Sequence, residues 1–213
     1  SLAALSPDDA APAKGARHMV TPPASRTVLV CCATTKGALT IAVRPGWAPL
    51  GAQRFLDMVE SGYFSSQVPL FRCMKGFLCQ FGLSGDARLS KRWPSFKDDP
   101  SWLPLGPEHR RNAEGVPRFA RGYLAYAGAG PQSRSNQLIV SLIAEERLCG
   151  GSPWEVPWGE LVGEKSLETL SSIFTGYGDN GPNQGLLMRS GVDEAFREKW
   201  PDLDYITDCA VVD

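Results

Sequence analysis

No apolar run in this chain outlasts a β-strand: the longest aliphatic stretch, Val28 to Ala33, is strand-sized. No window approaches the roughly 18 apolar residues that a membrane-spanning helix needs. The chain has instead many short runs, several of them alternating, and little sustained helical period. Thr27 to Cys32 and Gly37 to Val43 are β-branched and partly alternating, and Thr34-Thr35-Lys36-Gly37 between them reads as a hairpin turn. Val68 to Cys79 is strand-like and carries two basic residues. Gly122 to Ala127 and Gln137 to Ala144 flank a glycine-rich turn at Gly128-Ala129-Gly130-Pro131, and Trp158 to Val162 and Tyr205 to Val212 complete the strands. Helical spacing recurs at Pro49 to Ser61, where Phe55, Leu56, Met58 and Val59 precede a stop at Ser61-Gly62. It recurs again at Ser166 to Phe174, with Leu167, Leu170, Ile173 and Phe174 on one face and Ser166 as the expected N-cap. Ala195 to Trp200 is a shorter helix. Many strands with one early and one late helix is the order expected of a barrel plugged by helices at its ends.

At 213 residues the chain has room for one domain with arms or insertions. Residues 1–26 are rich in Ala, Pro and Ser and read as an N-terminal arm, and residues 27–213 are the domain, with a Pro- and Trp-rich surface insertion over about 86–117. The arm is either folded back on its own barrel or held by a partner protein in a stable complex. With 22 Lys+Arg against 23 Asp+Glu, the chain offers no broad attraction for nucleic acid or an anionic membrane. The six cysteines are too sparse for a disulfide scaffold and read as buried thiols in a reducing setting, hence inside the cell. The chain does not begin with Met, so an organelle, after removal of a targeting segment, stays open. Cys73 and Cys79 have no second Cys or His pair at ligand spacing, and His18 and His109 lie in polar stretches, so no metal is expected.

Four segments, in order and at compatible distances, carry a family resemblance. They are Thr34-Thr35-Lys36-Gly37; Phe55 with Ser61-Gly62-Tyr63-Phe64; Phe71 to Gly82; and Arg121 to Pro131 followed by Asn136-Gln137. Together they resemble cyclophilins over about Thr27 to Cys209. The resemblance implies a mainly β fold, a closed eight-stranded antiparallel barrel capped by two helices, with a peptide groove outside the sheet. It also implies peptidyl-prolyl cis/trans isomerase activity on X-Pro bonds in polypeptides, without cofactor. The family motif F-H-R-x-x-x-x-F-M-x-Q-x-G reads here as Leu70-Phe71-Arg72, Phe77-Leu78, Gln80 and Gly82. Arg72 falls on the catalytic position and Phe77, Leu78 and Gln80 on substrate-binding ones, with Phe71 where the family has histidine. The family's Q-F-F is Gln137-Leu138-Ile139, so the aromatic floor of the proline pocket becomes aliphatic. Trp154 matches the tryptophan of the family's W-L-D-G-K-H loop, which is shorter here and lacks its histidine. Ala127 and Gly128 fall where main-chain groups hold the substrate backbone.

The chemistry asked of these residues is specific. Amide resonance sets the X-Pro rotational barrier at about 20 kcal/mol, and on twisting the prolyl nitrogen becomes pyramidal and basic. A guanidinium that donates to it stabilises the twisted state more than the planar one, which is the role expected of Arg72. Gln80 and Gln137 would hold the substrate backbone, and Phe77, Leu78, Leu138 and Ile139 would supply a dry pocket for the ring. The altered pocket points to weakened activity. The competing expectation is a non-catalytic scaffold subunit of a larger assembly, favoured by the arm and the insertion. Ser/His or Cys/His hydrolysis is disfavoured, because neither histidine lies near a nucleophile motif.

Overall fold

Branched side chains at Val28, Val30, Thr34, Thr40, Ile41 and Val43 suit a pleated strand. In the computed structural model, which describes residues 26–99, 119–144 and 153–212, these residues form a hairpin of β1 (Val28–Thr34) and β2 (Gly37–Val43), paired from Val28↔Val43 to Thr34↔Gly37. Its turn closes on Thr34, whose hydroxyl donates to Gly37 O at 2.7 Å and accepts from the N–H groups of Lys36 and Gly37 at 3.1 Å. The other strands are β3 (Val68–Pro69), β4 (Arg72–Cys73), β5 (Leu78–Phe81), β6 (Tyr123–Tyr126), β7 (Leu138–Ser141), β8 (Gly159–Leu161) and β9 (Tyr205–Val212). They pair antiparallel in one nine-stranded sheet of order β3-β9-β1-β2-β8-β6-β7-β5-β4.

The closed eight-stranded barrel expected from the sequence is therefore a nine-stranded sheet curled into a half-barrel. The difference lies in Val68 to Cys79. Leu70 and Phe71 leave the ladder after β3, and Met74–Phe77 is a turn in which Phe77 N bonds Met74 O at 3.0 Å, so the expected strand breaks into β3, β4 and the start of β5. No ladder joins β3 to β4. Leu70 and Phe71 bridge them along the chain, and Leu70 N is satisfied by Asp204 O at 2.8 Å.

The described residues also hold five α-helices: α1 (Pro49–Glu60), α2 (Ala87–Ser90), α3 (Glu164–Ser172), α4 (Gln184–Ser190) and α5 (Glu194–Lys199). Both of the main helices read from the sequence are present. In α1, Pro at the first position pre-sets the backbone angle, and Ala52, Phe55, Met58 and Val59 face the core with Val30, Ile41, Leu124, Tyr126 and Trp158. Its first N–H groups have no cap of their own: Leu50 N and Gly51 N bond the two carboxylate oxygens of Asp99 at 2.8 and 2.9 Å. Arg134, fully buried, meets the same carboxylate through Nη1 at 2.9 Å, donates from Nη2 to Lys97 O, and lies against the rings of Phe96 and Tyr126. Burial pushes the Tyr126 hydroxyl well above its ordinary range, so it stays protonated and donates to Gly51 O at 3.0 Å. Residues 86–99, read from the sequence as the start of a surface insertion, are thus built into the fold. Residues 100–117 of that insertion, residues 1–25 of the arm, His18, His109 and Cys149 lie outside the described residues.

Helix α3 begins two residues before Ser166, and Ser166 does not cap it. Its hydroxyl instead accepts from Thr40 N at 2.9 Å and ties α3 to β2. Helices α4 and α5 carry side-chain caps at Asn183 and Asp193 and bury Leu187 and Phe196 in a second cluster with Phe71, Leu83, Leu203 and Tyr205. The thiol reading fails for four cysteines. Register sets Cys32 opposite Cys209 and Cys73 opposite Cys79, and each pair is a disulfide. Spacing along the chain does not reveal partners that face each other across a ladder, whereas Cys31 is free. Among the described residues no helix is long and apolar enough to cross a membrane.

Gly82 links β5 to the rest of the groove wall with φ +100°, and a Cβ there would lie 2.1 Å from Asn136 O. Gly82→Ala is expected to cost about 1–3 kcal/mol through strain and that clash, read as a lower urea midpoint at unchanged slope. An unchanged midpoint would mean that the Asn136 carbonyl can swing clear.

Candidate active site

Strand parity decides which side chains meet outside the sheet. Arg72 pairs with Gln80, Gln80 with Ile139, and Ile139 with Ala125, so these four share the outer face, and Cys73 and Cys79 point inward. Gln137, immediately before β7, joins them: Gln80 Nε2 donates to Gln137 Oε1 at 2.8 Å, and Arg72 Nη1 donates to Gln80 Oε1 at 3.2 Å. Arg72, Gln80 and Gln137 are thus one continuous relay. Gln137 O also accepts from Ala127 N at 3.0 Å, which brings Ala127 and Gly128 alongside.

Two concavities adjoin this relay. One, of about 380 Å³, is lined by Phe71, Arg72, Gln80, Asp179, Asn183 and Gln184. The other, of about 160 Å³, is lined by Gln80, Ala127, Gly128, Ser133, Ser135 and Gln137, and shares Gln184 with the first. Trp154 packs directly on Gly128, so closely that a Cβ on Gly128 would sit 2.8 Å from the indole. Beside it, burial pushes the Glu155 carboxyl above the usual range.

The apolar half of the expected pocket is only partly as foreseen. Leu78 and Ile139 lie together on the outer face with Ala125, and Phe77 packs against them. Leu138 does not belong there. It is 0 % exposed inside the half-barrel with Val140 and Tyr126, because consecutive strand residues face opposite sides and Ile139 takes the outer one. Phe119, which the sequence reading passed over, is also 0 % exposed and packs onto Leu78 and Ile139. Phe71, in place of the family's histidine, turns away into the second cluster and anchors α4 and α5 beneath the groove.

A second residue escaped the sequence reading. Asp179, 107 positions from Arg72, accepts from Arg72 Nε at 2.6 Å. It sits in a glycine-rich segment with no hydrophobic period, so no signal along the chain marks it. With Nε on Asp179 and Nη1 on Gln80, Nη2 of Arg72 has no partner among the described residues. The arrangement is an oriented donor at the mouth of a polar groove with an apolar patch beside it. It suits a ligand offering a weak nitrogen acceptor, backbone amides and a small ring.

Residues 29–190 match the family model described as cyclophilin type peptidyl-prolyl cis-trans isomerase/CLD. The chain is 30 % identical over 102 residues to peptidyl-prolyl isomerase CWC27 of Yarrowia lipolytica, covering 44 % of this chain and 28 % of that protein. It is 26 % identical over 148 residues to peptidyl-prolyl cis-trans isomerase-like 3 of Neurospora crassa, covering 66 % of this chain and 79 % of the relative. Among solved structures it is similar to a cyclophilin-type isomerase of Cryptosporidium parvum crystallised with the dipeptide Ala-Pro, at TM-score 0.56 and 21 % identity over 87 % of this chain and 99 % of that one. A cyclophilin of Hirschia baltica superposes at TM-score 0.58 and 14 % identity, over 88 % of this chain and 76 % of that one. At those identities the structures speak for the fold alone. The family model, however, spans most of the domain, and by it the chain belongs to the cyclophilin-type peptidyl-prolyl cis-trans isomerases.

Proposed function

We propose that this chain catalyses cis/trans rotation of X-Pro bonds in polypeptides, with weakened activity. The observation that carries this reading is the Arg72–Gln80–Gln137 relay, which leaves Nη2 of Arg72 as an unpartnered donor among the described residues. Rotation about one amide bond transfers no electron or group, so the chemistry needs only a donor to the prolyl nitrogen and a grip on either side of it. Arg72 is the donor. Gln80, Gln137 and the main chain at Ala127 and Gly128 hold the substrate backbone, and Phe77, Leu78 and Ile139 receive the ring. An aliphatic side chain for an aromatic wall lowers uniform binding by about 1–3 kcal/mol and so raises KM more than it lowers kcat.

The purified chain should accelerate isomerisation of an X-Pro peptide above the uncatalysed rate, with saturation only at high peptide concentration. No acceleration at high enzyme concentration would end this reading. The second reading, a non-catalytic scaffold, draws on Phe119, whose ring packs onto Leu78 and Ile139 where a substrate ring would rest. In that case the groove, or the arm at residues 1–26, would serve to hold a partner protein without turnover.

A further inference from the structure

Arg72 stands on a strand two residues long and its side chain is 39 % exposed. An arginine so placed has many rotamers open to it, and fixing it costs side-chain entropy. A donor acts best in catalysis when it is oriented before the substrate arrives. Gln80 restrains one branch of the guanidinium through Nη1. Asp179 takes Nε, the nitrogen nearest the stem, through a short charge-assisted bond that fixes the plane of the group.

Isolated surface ion pairs contribute little, and the Asp179 carboxylate is 65 % exposed. The backbone that delivers it is anything but loose. At its start, Phe174 N bonds Asp204 Oδ2 at 2.8 Å, and Asp204, itself buried, also holds the Thr35 hydroxyl at 2.7 Å. The Tyr177 ring lies edge-on to both Phe174 and Trp200, at 4.9 and 5.1 Å, and its hydroxyl donates to Asp202 at 3.0 Å. A single turn at Gly178–Asn180 closes with Asn180 N on Tyr177 O at 2.9 Å. At its far end Gly181 runs so close to Phe71 that a Cβ would lie 2.7 Å from Phe71 O, and Asn183 caps α4. The carboxylate is therefore held at Arg72 by a braced strap, and little freedom is lost when the pair forms.

We propose that Asp179 is a positioning residue for the isomerase: through Nε it sets the plane of the Arg72 guanidinium so that Nη2 is presented to the prolyl nitrogen. The inference rests on the isomerase reading above. A neighbouring carboxylate also draws on the donor's charge, but the twisted prolyl nitrogen offers one directional lone pair, which only an aligned N–H can meet. Orientation therefore outweighs the loss of field.

The test separates kcat from KM for Asp179→Ala and Asp179→Glu on an X-Pro peptide, with thermal unfolding and the solvent exchange of the Arg72 Nε–H followed by nitrogen-15 NMR. Asp179→Ala should lower kcat about tenfold with KM changed by less than about twofold. Asp179→Glu should restore part of that loss, the unfolding midpoint should hold, and the Nε–H of the alanine variant should exchange faster. An alanine variant with unchanged or raised kcat overturns the proposal while leaving the isomerase intact. A loss that appears in KM and in the unfolding midpoint, without faster Nε–H exchange, overturns it too, by showing a merely structural strap. A wild-type chain without turnover instead overturns the isomerase reading, and the catalytic role of Asp179 with it.

Discussion

Arg72→Ala lowers kcat/KM for X-Pro isomerisation by an expected hundredfold, an order of magnitude set by the loss of one preorganised charged donor. The deficit should fall almost wholly on kcat. In the proposed reaction Arg72 would meet the nitrogen that changes character on twisting, whereas Gln80, Gln137 and the apolar patch would grip the planar and twisted forms alike. Arg72 is partly exposed and its strand is only two residues long, so the variant should unfold at the same urea concentration as the parent. Progress curves on an X-Pro peptide over a range of peptide concentrations separate the two constants. A rate unchanged by the substitution would remove Arg72 from the reaction, and any turnover would then have to arise from binding strain in the groove.

Arg134→Leu should be the more damaging change to the fold, at about 3–5 kcal/mol, because removing one partner of a buried pair strands the other. Two carboxylates are left behind: Asp99, whose side chain is 0 % exposed, and Asp98, at 4 %. Asp99 also caps the start of α1 by accepting from Leu50 N and Gly51 N, so its displacement loosens the helix start as well. A domain whose whole stability is on the order of 5–15 kcal/mol has little margin for that loss. Equilibrium urea unfolding measures it. Replacing Asp98 and Asp99 with Asn in the leucine background should recover part of it, since no charge is then left buried. A leucine variant as stable as the parent would show that water reaches both carboxylates.

Much of this architecture could be read from the chain because its information is local. Alternation at Gly37 to Val43, the proline ahead of Phe55, Met58 and Val59, and the spacing of Arg72, Phe77 and Gln80 each constrain residues within a few positions of one another. What escaped depends on contacts between distant segments. Leu138 was placed in the groove by its neighbourhood to Gln137 and Ile139, but adjacency along a strand means opposite faces. Asp179 and Phe119 reach the site from loops that carry no period. Cys32 and Cys209 meet only because the first and last strands pair, and the barrel stays half closed because no ladder joins β3 to β4 within a run that hydropathy alone reads as continuous. Asp99 lies in the stretch that reads as a surface insertion, and only the fold sets it against Arg134, 35 positions away.

The way the sheet ends bears on how the protein behaves when crowded. Its outermost strands, β3 and β4, are two residues long apiece, and the chain passes from one straight into the other through Leu70 and Phe71. Neither end presents a row of unpaired amides long enough to template a foreign strand, the usual first step of fibre growth. A sheet of nine strands, several of them rich in valine and isoleucine, would otherwise be an aggregation hazard. The short crossing at Leu70–Phe71, with the charged Arg72 on the edge strand itself, works against it, so the folded domain is expected not to form sheet-mediated polymers in concentrated solution.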